Sequence, residues 1–343
     1  MQDTSLVSQL RIPTIFSVGP INVYLIKAEP LTLIDTGLLS EESEGALRAG
    51  LQSLGYSLQD IRRILITHGD YDHSGLAVRI AEASGAEIYV HEAEKLKMDG
   101  WVRFISGKAA VLATGGVSAE IFAEVLAATQ NRIPIAQPLV EYTLLQGGEV
   151  LPFKDFELEV YHTPGHALGH LCFFLRQQGI LFCGDTLLAR VTPNPQLEID
   201  PQAPDGRYKS LKQYMSSLDL LEKLPVNKVY PGHGRPFTEL KKRIAEIREH
   251  HRLRTQLIAE TLRAKPLSPY QLAVALYQGL DGYNNVLGVS EVWGHLDILQ
   301  EEGIIEGRLE NGVYSFQTKP GLSCFPAASK ARAEYRRSSA IEM

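Results

Sequence analysis

A chain of 343 residues with 44% hydrophobic content has room for one large globular domain or two smaller ones, which excludes disorder throughout. A formal net charge of -6 argues against a protein that holds nucleic acid through overall charge and leaves only a local basic patch open. Cys172, Cys183 and Cys324 form no CxxC pair and no disulfide framework, residues 1–20 lack the pattern of a signal peptide, and no apolar run reaches the length of a membrane span. The expectation is a soluble, cytoplasmic protein without membrane contact.

Residues 10–37 read as strand, turn and strand, closed by Asp35-Thr36-Gly37. Residues 40–54 read as a helix with carboxylates at its start and apolar positions at Ala46, Leu47, Leu51 and Leu54. The β-branched run 61–66 then reads as a buried strand leading into Thr67-His68-Gly69-Asp70-Tyr71-Asp72-His73-Ser74-Gly75, and a helix follows from Leu76. His68, Asp70 and Asp72 lie two apart, so an extended backbone projects them to one side while His73 faces elsewhere, and such a turn serves two neighbouring metal ions. His91 ends the strand 86–91 and reads as a strand-end polar residue rather than a ligand.

Residues 93–140 break the alternation of strand and helix. Helical stretches at 95–108 and 118–128 are divided by Gly115-Gly116 and followed by Pro134 and Pro138. An insertion beside the metal loop suits a lid or pocket wall, with Trp101, Phe104, Ile121, Phe122 and Leu126 either lining an apolar cavity or packing on one another. Strands then lead into Thr163-Pro164-Gly165-His166, Cys183-Gly184-Asp185-Thr186 and Tyr230-Pro231-Gly232-His233-Gly234, each word following an apolar run. Imidazoles and carboxylates at strand ends suit zinc, iron or manganese, and a carboxylate is able to bridge two ions. His162 and His170, which flank His166, read as structural. Arg190 and Tyr208 are candidates to bind a substrate carboxylate or steady an oxyanion.

Past His233 the pattern changes to a long charged helix over 237–264, helices over 270–277 and 289–300, and a hairpin over 303–316. The order is that of a winged helix. Yet residues 290–302, which would enter a groove, hold four carboxylates and no Lys or Arg, so a packing or dimerisation module is expected rather than a nucleic-acid reader. The domains expected are 1–240, 241–318 and a flexible tail 319–343 carrying Arg332, Arg336 and Arg337.

The set His68, Asp70, Asp72, His73, His166, Asp185 and His233, with its TPGH, GD and PGHG words and Leu33-Ile34-Asp35-Thr36-Gly37 upstream, resembles the metallo-β-lactamase-fold hydrolases over roughly residues 10–240. The resemblance extends to a subgroup with a C-terminal winged-helix-like domain, some members of which cleave RNA. It implies an αββα sandwich and a binuclear, metal-dependent hydrolase. His68, Asp70 and His166 would hold one divalent ion and Asp72, His73 and His233 the other, with Asp185 bridging and Asp35 supporting the metal loop from behind. It also implies a metal-bridging hydroxide, oriented by Asp72, with Tyr208 as a further catalytic candidate. The fold does not choose among esters, lactones, thioesters and phosphodiesters; the apolar insertion favours an ester, lactone or thioester of a small molecule, and the acidic balance disfavours RNA. Asp70 departs from the pattern, standing where the family usually has its second His. A carboxylate there adds charge and favours iron or manganese relative to zinc, otherwise the expected metal, and the family includes di-iron members with a carboxylate at this position. A ribonuclease or phosphodiesterase, and a metal-poor scaffold, remain the alternative classes.

Overall fold

The computed structural model describes residues 6–130, 141–200, 203, 206–277 and 279–320. The Pro134/Pro138 stretch, Cys324, the arginines of the expected tail and the side chain of Trp101 lie outside the described residues.

Strands β1 (Val7–Ile12), β2 (Ile21–Ile26) and β3 (Thr32–Ile34) pair antiparallel in sequence. After helix α1 (Glu41–Ser53), capped by Ser40 accepting from the Ser43 amide, β4 (Arg63–Leu65) pairs parallel to β3. The short helix α2 (Tyr71–Ser74) and α3 (Ala77–Ser84) lead to β5 (Glu87–His91), parallel to β4. Four helices follow, α4 (Lys95–Asp99), α5 (Trp101–Gly107), α6 (Ala109–Thr114) and α7 (Ala119–Gln130), before β6 (Thr143–Leu145) completes a six-stranded mixed sheet.

The second sheet is also mixed. It runs β11-β10-β9-β8-β7, built from β7 (Val150–Pro152), β8 (Glu157–His162), β9 (Leu171–Leu175), β10 (Ile180–Gly184) and β11 (Lys228–Pro231), with α8 (Ser210–Leu221) crossing between the last two. Alternation along its strands fixes which layer each residue serves. Leu171, Phe173, Leu175 and Phe182 face Tyr24, Ile26, Ile34 and Leu65 of the first sheet. Cys172, Phe174, Leu181 and Cys183 face Leu211, Tyr214 and Leu218 of α8. On the far side, Val23, Leu25, Leu33 and Ile64 meet Leu47 and Leu51 of α1 and Ile80 of α3. Four layers result, helix, sheet, sheet, helix, as expected. Cys172 and Cys183 are buried free thiols.

The C-terminal region comprises α9 (Leu240–Thr261), α10 (Pro269–Leu276), α11 (Asn284–Glu301) and the hairpin β12 (Ile305–Glu310) and β13 (Val313–Thr318). Leu240, Ile244 and Ile247 of α9 pack against the second sheet, while Ile258, Ala259 and Leu262 join a separate core with α10, α11 and the hairpin. The boundary expected at 240/241 therefore falls at the start of one helix that serves both cores. Thirteen residues of α11 are buried, so it is a central packing helix rather than one presented to a groove. Among the described residues no helix is long and apolar enough to cross a membrane.

The insertion is not a free-standing lid. Leu112, Val117 and Val125 are buried in the C-terminal core, with Ile121 and Phe122 packed on it. Trp293 sits at its centre, with Arg207 4.0 Å above the ring and Tyr314 and Phe316 edge-on at 5.7 and 5.6 Å. Truncation to Trp293→Ala is expected to cost about 3–5 kcal/mol in urea denaturation. Because the core is shared, faster amide exchange is expected in residues 109–125 as well as in α11.

Candidate metal centre

The candidate ligands sit where β4, β8, β10 and β11 end. After β4 the chain bends at Thr67 and again at Asp70, whose own backbone is extended (φ -67°, ψ 149°), and α2 begins at Tyr71. The expected extended run from His68 to Asp72 is therefore corrected: a helical turn carries Asp72 and His73 away from the strand direction. Two donor groups form, His68 with His166 and Asp185, and Asp72 with His73 and His233, each with ligand atoms within 4.8 Å of one another. Asp185 lies between them, with Oδ2 3.8 Å from His166 Nε2 and 3.7 Å from His233 Nε2, and Oδ1 3.7 Å from His73 Nε2. Asp70 Oδ2 is 3.5 Å from His68 Nε2 and 3.6 Å from His166 Nε2, on the side of the first group.

Hydrogen bonds behind the rings set which nitrogen faces the pocket. Asp35 closes β3 in left-handed backbone (φ 60°) and accepts from the Thr67 amide at 2.8 Å, the Thr67 hydroxyl at 2.9 Å and His73 Nδ1 at 2.8 Å. His166 Nδ1 donates to the Asn194 carbonyl at 3.0 Å, and His233 Nδ1 to the Gly19 and Pro20 carbonyls at 3.1 Å each. Because the Thr67 hydroxyl is committed to Asp35, it accepts from His68 Nδ1 at 3.1 Å. All four imidazoles thus turn Nε2 to the pocket, the arrangement a metal ligand needs, and the Gln196 amide reaches that of His166 at 3.3 Å. His68 Nε2, His73 Nε2 and Asp185 Oδ1 are buried without a hydrogen-bond partner. These orphaned atoms, all of ligand type, show that the donor set fits metal ions.

Charge points the same way. Burial disfavours the charged form of Asp185, yet His233 and His73 hold its carboxyl well below the usual range. Burial likewise opposes a charge on His73, but Asp35, Asp185 and Asp72 hold it well above its ordinary value. Packed carboxylates that stay ionised need cations between them, and in this pocket the candidates are protons or metal.

Four participants are absent from the sequence reading. Lys97 of α4 is buried, its ammonium 2.5 Å from Glu198, 3.1 Å from Glu94 and 3.4 Å from Asp70 Oδ1. Gln196 donates its amide to Asp70 Oδ2 at 2.8 Å. Both Asp70 oxygens are thereby engaged, unlike the bare donors around them, and Asp70, though it stands at the start of α2, makes no capping bond. Glu94 accepts from the Gly69 amide at 2.8 Å and the Gly169 amide at 2.7 Å, joining the loop of His68 to the loop of His166. Both positions need glycine, since a Cβ on Gly69 would lie 2.8 Å from Glu94 Oε2 and one on Gly169 2.8 Å from Glu94 Cγ. Only the glycines spaced around His68 and His166 hint at so close an approach.

The other sequence candidates fall outside the donor groups. His170 accepts from the Asp185 amide at 3.1 Å and steadies that loop. His91 stacks on His162 at 4.0 Å and caps the turn after β5 by accepting from the Ala93 amide. Arg190 is exposed. Tyr208 lines a small cleft with Leu197, Arg207, Trp293 and Asp297, to which none of the seven candidate ligands contributes.

An αββα sandwich that gathers two linked His/Asp donor groups at one edge of its sheets defines a protein built around a metal pocket. Residues 17–233 match the Metallo-beta-lactamase superfamily, and the chain belongs to it. It is 32% identical over 316 residues, 90% of this chain and 97% of the relative, to the probable metallo-hydrolase YqjP of Bacillus subtilis (strain 168). It is 29% identical over 150 residues, 43% of each chain, to an atrochrysone carboxyl ACP thioesterase of Aspergillus fumigatus. The crystal structure of a metallo-beta-lactamase family protein from Thermus thermophilus, TTHA1429, superposes with a TM-score of 0.75 at 28% identity, covering 92% of this chain and 99% of that one.

Two substitutions separate orientation from charge. Asp35→Asn is expected to weaken metal binding about 10–100-fold, by competition with a chromophoric chelator, because His73 loses the carboxylate that fixes its ring. Lys97→Met leaves Glu94, Glu198 and Asp70 without their shared cation and is expected to destabilise the fold by about 3–5 kcal/mol in chemical denaturation.

Proposed function

We propose that this chain is a binuclear metal-dependent hydrolase acting on a carboxylic ester, lactone or thioester of a small molecule. The observation that carries this reading is the pair of donor groups joined by Asp185, with His68 Nε2, His73 Nε2 and Asp185 Oδ1 buried and bare. One ion is assigned to His68 and His166 with Asp70 beside them, the other to Asp72, His73 and His233, and Asp185 to both. When bound, such ions lower the pKa of water toward neutrality and polarise the oxygen of the group under attack.

This chain's own residues prepare that chemistry. Asp72, with Oδ2 3.1 Å from His233 Nε2, is the carboxylate assigned to hold and return a proton. Asp35, Asn194 and the Gly19 and Pro20 carbonyls keep the imidazoles turned inward. Tyr208 is assigned to substrate contact on its place in the loop that runs from Asp185 past Gln196, whose amide holds Asp70.

Zinc is the assigned metal. Lys97, 3.4 Å from Asp70 Oδ1, moderates the charge that Asp70 adds beside the first donor group. The B. subtilis relative, matched over nearly its whole length, bears the name of a metallo-hydrolase, and the fungal relative that of a thioesterase, which supports an acyl substrate. The burial of α11 and its carboxylates speak against nucleic acid as substrate.

Mass-spectrometric metal analysis of protein purified without chelators is expected to show at least two ions per chain, the number falling in His68→Ala and in His233→Ala together with hydrolysis of acyl thioesters, lactones or p-nitrophenyl esters. Full metal content and activity in both variants would overturn the assignment. Cleavage of single-stranded RNA with no acyl hydrolysis would replace the substrate class.

A further inference from the structure

A second constellation of metal-capable side chains lies away from this pocket, between α9 and α11. His250, His251 and Glu291 offer ligand atoms within 4.8 Å of one another, all buried. His295, 0% exposed and one helical turn beyond Glu291, closes the group. His251 Nδ1 is 3.5 Å from His295 Nε2 and 3.7 Å from Glu291 Oε1, and His295 Nε2 is 3.2 Å from Glu291 Oε1. Nitrogen and oxygen donors about 2.0–2.1 Å from a tetrahedral zinc stand about 3.3–3.4 Å apart, so this triangle has the size the ion requires. The donor contacts of the first pocket span a similar range, 3.1 to 4.0 Å.

Hydrogen bonding leaves a ligand nitrogen available to a cation. The Thr255 hydroxyl stands 2.9 Å from the His251 carbonyl and 2.8 Å from His295 Nδ1. Where it donates to the carbonyl, Nδ1 of His295 carries the ring proton and Nε2 is a lone pair. That lone pair faces a carboxylate oxygen at 3.2 Å. Two acceptors at this distance repel unless a positive charge lies between them. A metal ion fills that role as a proton does, and the donors already gather around one point.

We propose that His251, Glu291 and His295 form a structural zinc site separate from the pocket at the sheet edge, its fourth position filled by His250, which groups with His251 and Glu291, or by water. Such an ion ties α9 to α11, clamping the C-terminal core to the helix it shares with the sandwich. The clamp also backs onto the first pocket. Tyr214 meets the His251 ring edge-on at 5.8 Å, and its hydroxyl donates to the carbonyl of Thr186, the residue after Asp185, at 2.7 Å.

The test uses the full chain with the first pocket disarmed by His73→Ala, His166→Ala and His233→Ala. After gel filtration this protein is expected to retain about one zinc per chain, and its cobalt form to show the intense visible bands of a four-coordinate ion. Adding Glu291→Gln and His295→Leu is expected to remove that ion and lower Tm. A folded triple variant that holds no zinc and gives no such cobalt bands overturns the proposal and leaves a proton-bridged cluster. Zinc content and the cobalt spectrum are both read from the triple variant, so they decide the matter even if the fivefold variant does not fold. One zinc in wild type and the same one in the triple variant would instead sink the sheet-edge assignment while sustaining this one.

Discussion

The carboxylate of Asp35 holds the centre together. Placed in left-handed backbone where β3 ends, it takes the amide and hydroxyl of Thr67 and the Nδ1 proton of His73. Three consequences follow from one side chain: the turn after β4 is fixed to its neighbouring strand, the Thr67 hydroxyl is oriented toward His68, and His73 is locked in the tautomer that leaves Nε2 bare. Buried carboxylates need several donors to offset lost hydration, and here the donors are the parts of the loop that most need positioning.

The second support is electrostatic and comes from the insertion. Glu94 joins two loops carrying candidate ligands through their backbone amides, Lys97 contacts Glu94, Glu198 and Asp70 together, and Glu198 accepts from the Leu168 amide at 3.0 Å. An acidic residue at position 70 thus shares a buried ammonium with two further carboxylates rather than standing as an isolated departure. That ammonium comes from α4, beyond α2, α3 and β5.

The candidate ligands are legible in the sequence because each follows an apolar strand and sits in a short polar word, so periodicity and chemistry coincide. The four layers are legible for the same reason: strand alternation in β9 and β10 divides their residues between two cores. Lys97, Glu94, Glu198 and Gln196 are not legible, since they lie in an irregular insertion and loop where no period marks burial, and an isolated lysine reads as solvated. The backbone after Asp70 departs from expectation because a two-residue spacing looks extended, whereas helical geometry takes over at Tyr71. Helix α11 starts five residues before its expected position, at 284 rather than 289, and takes in Gly288, where the absent side chain lets Leu280 approach closely.

Helix α9 has a meaning beyond packing. Its first half seals the outer face of the second sheet and its second half belongs to the C-terminal core, so no cut between residues 240 and 261 leaves two self-sufficient pieces. A region joined in this way cannot be exchanged by simple gene fusion as an appended module can. Its residues must change in step with those of the sandwich, and variation in the one is constrained by the fit of the other.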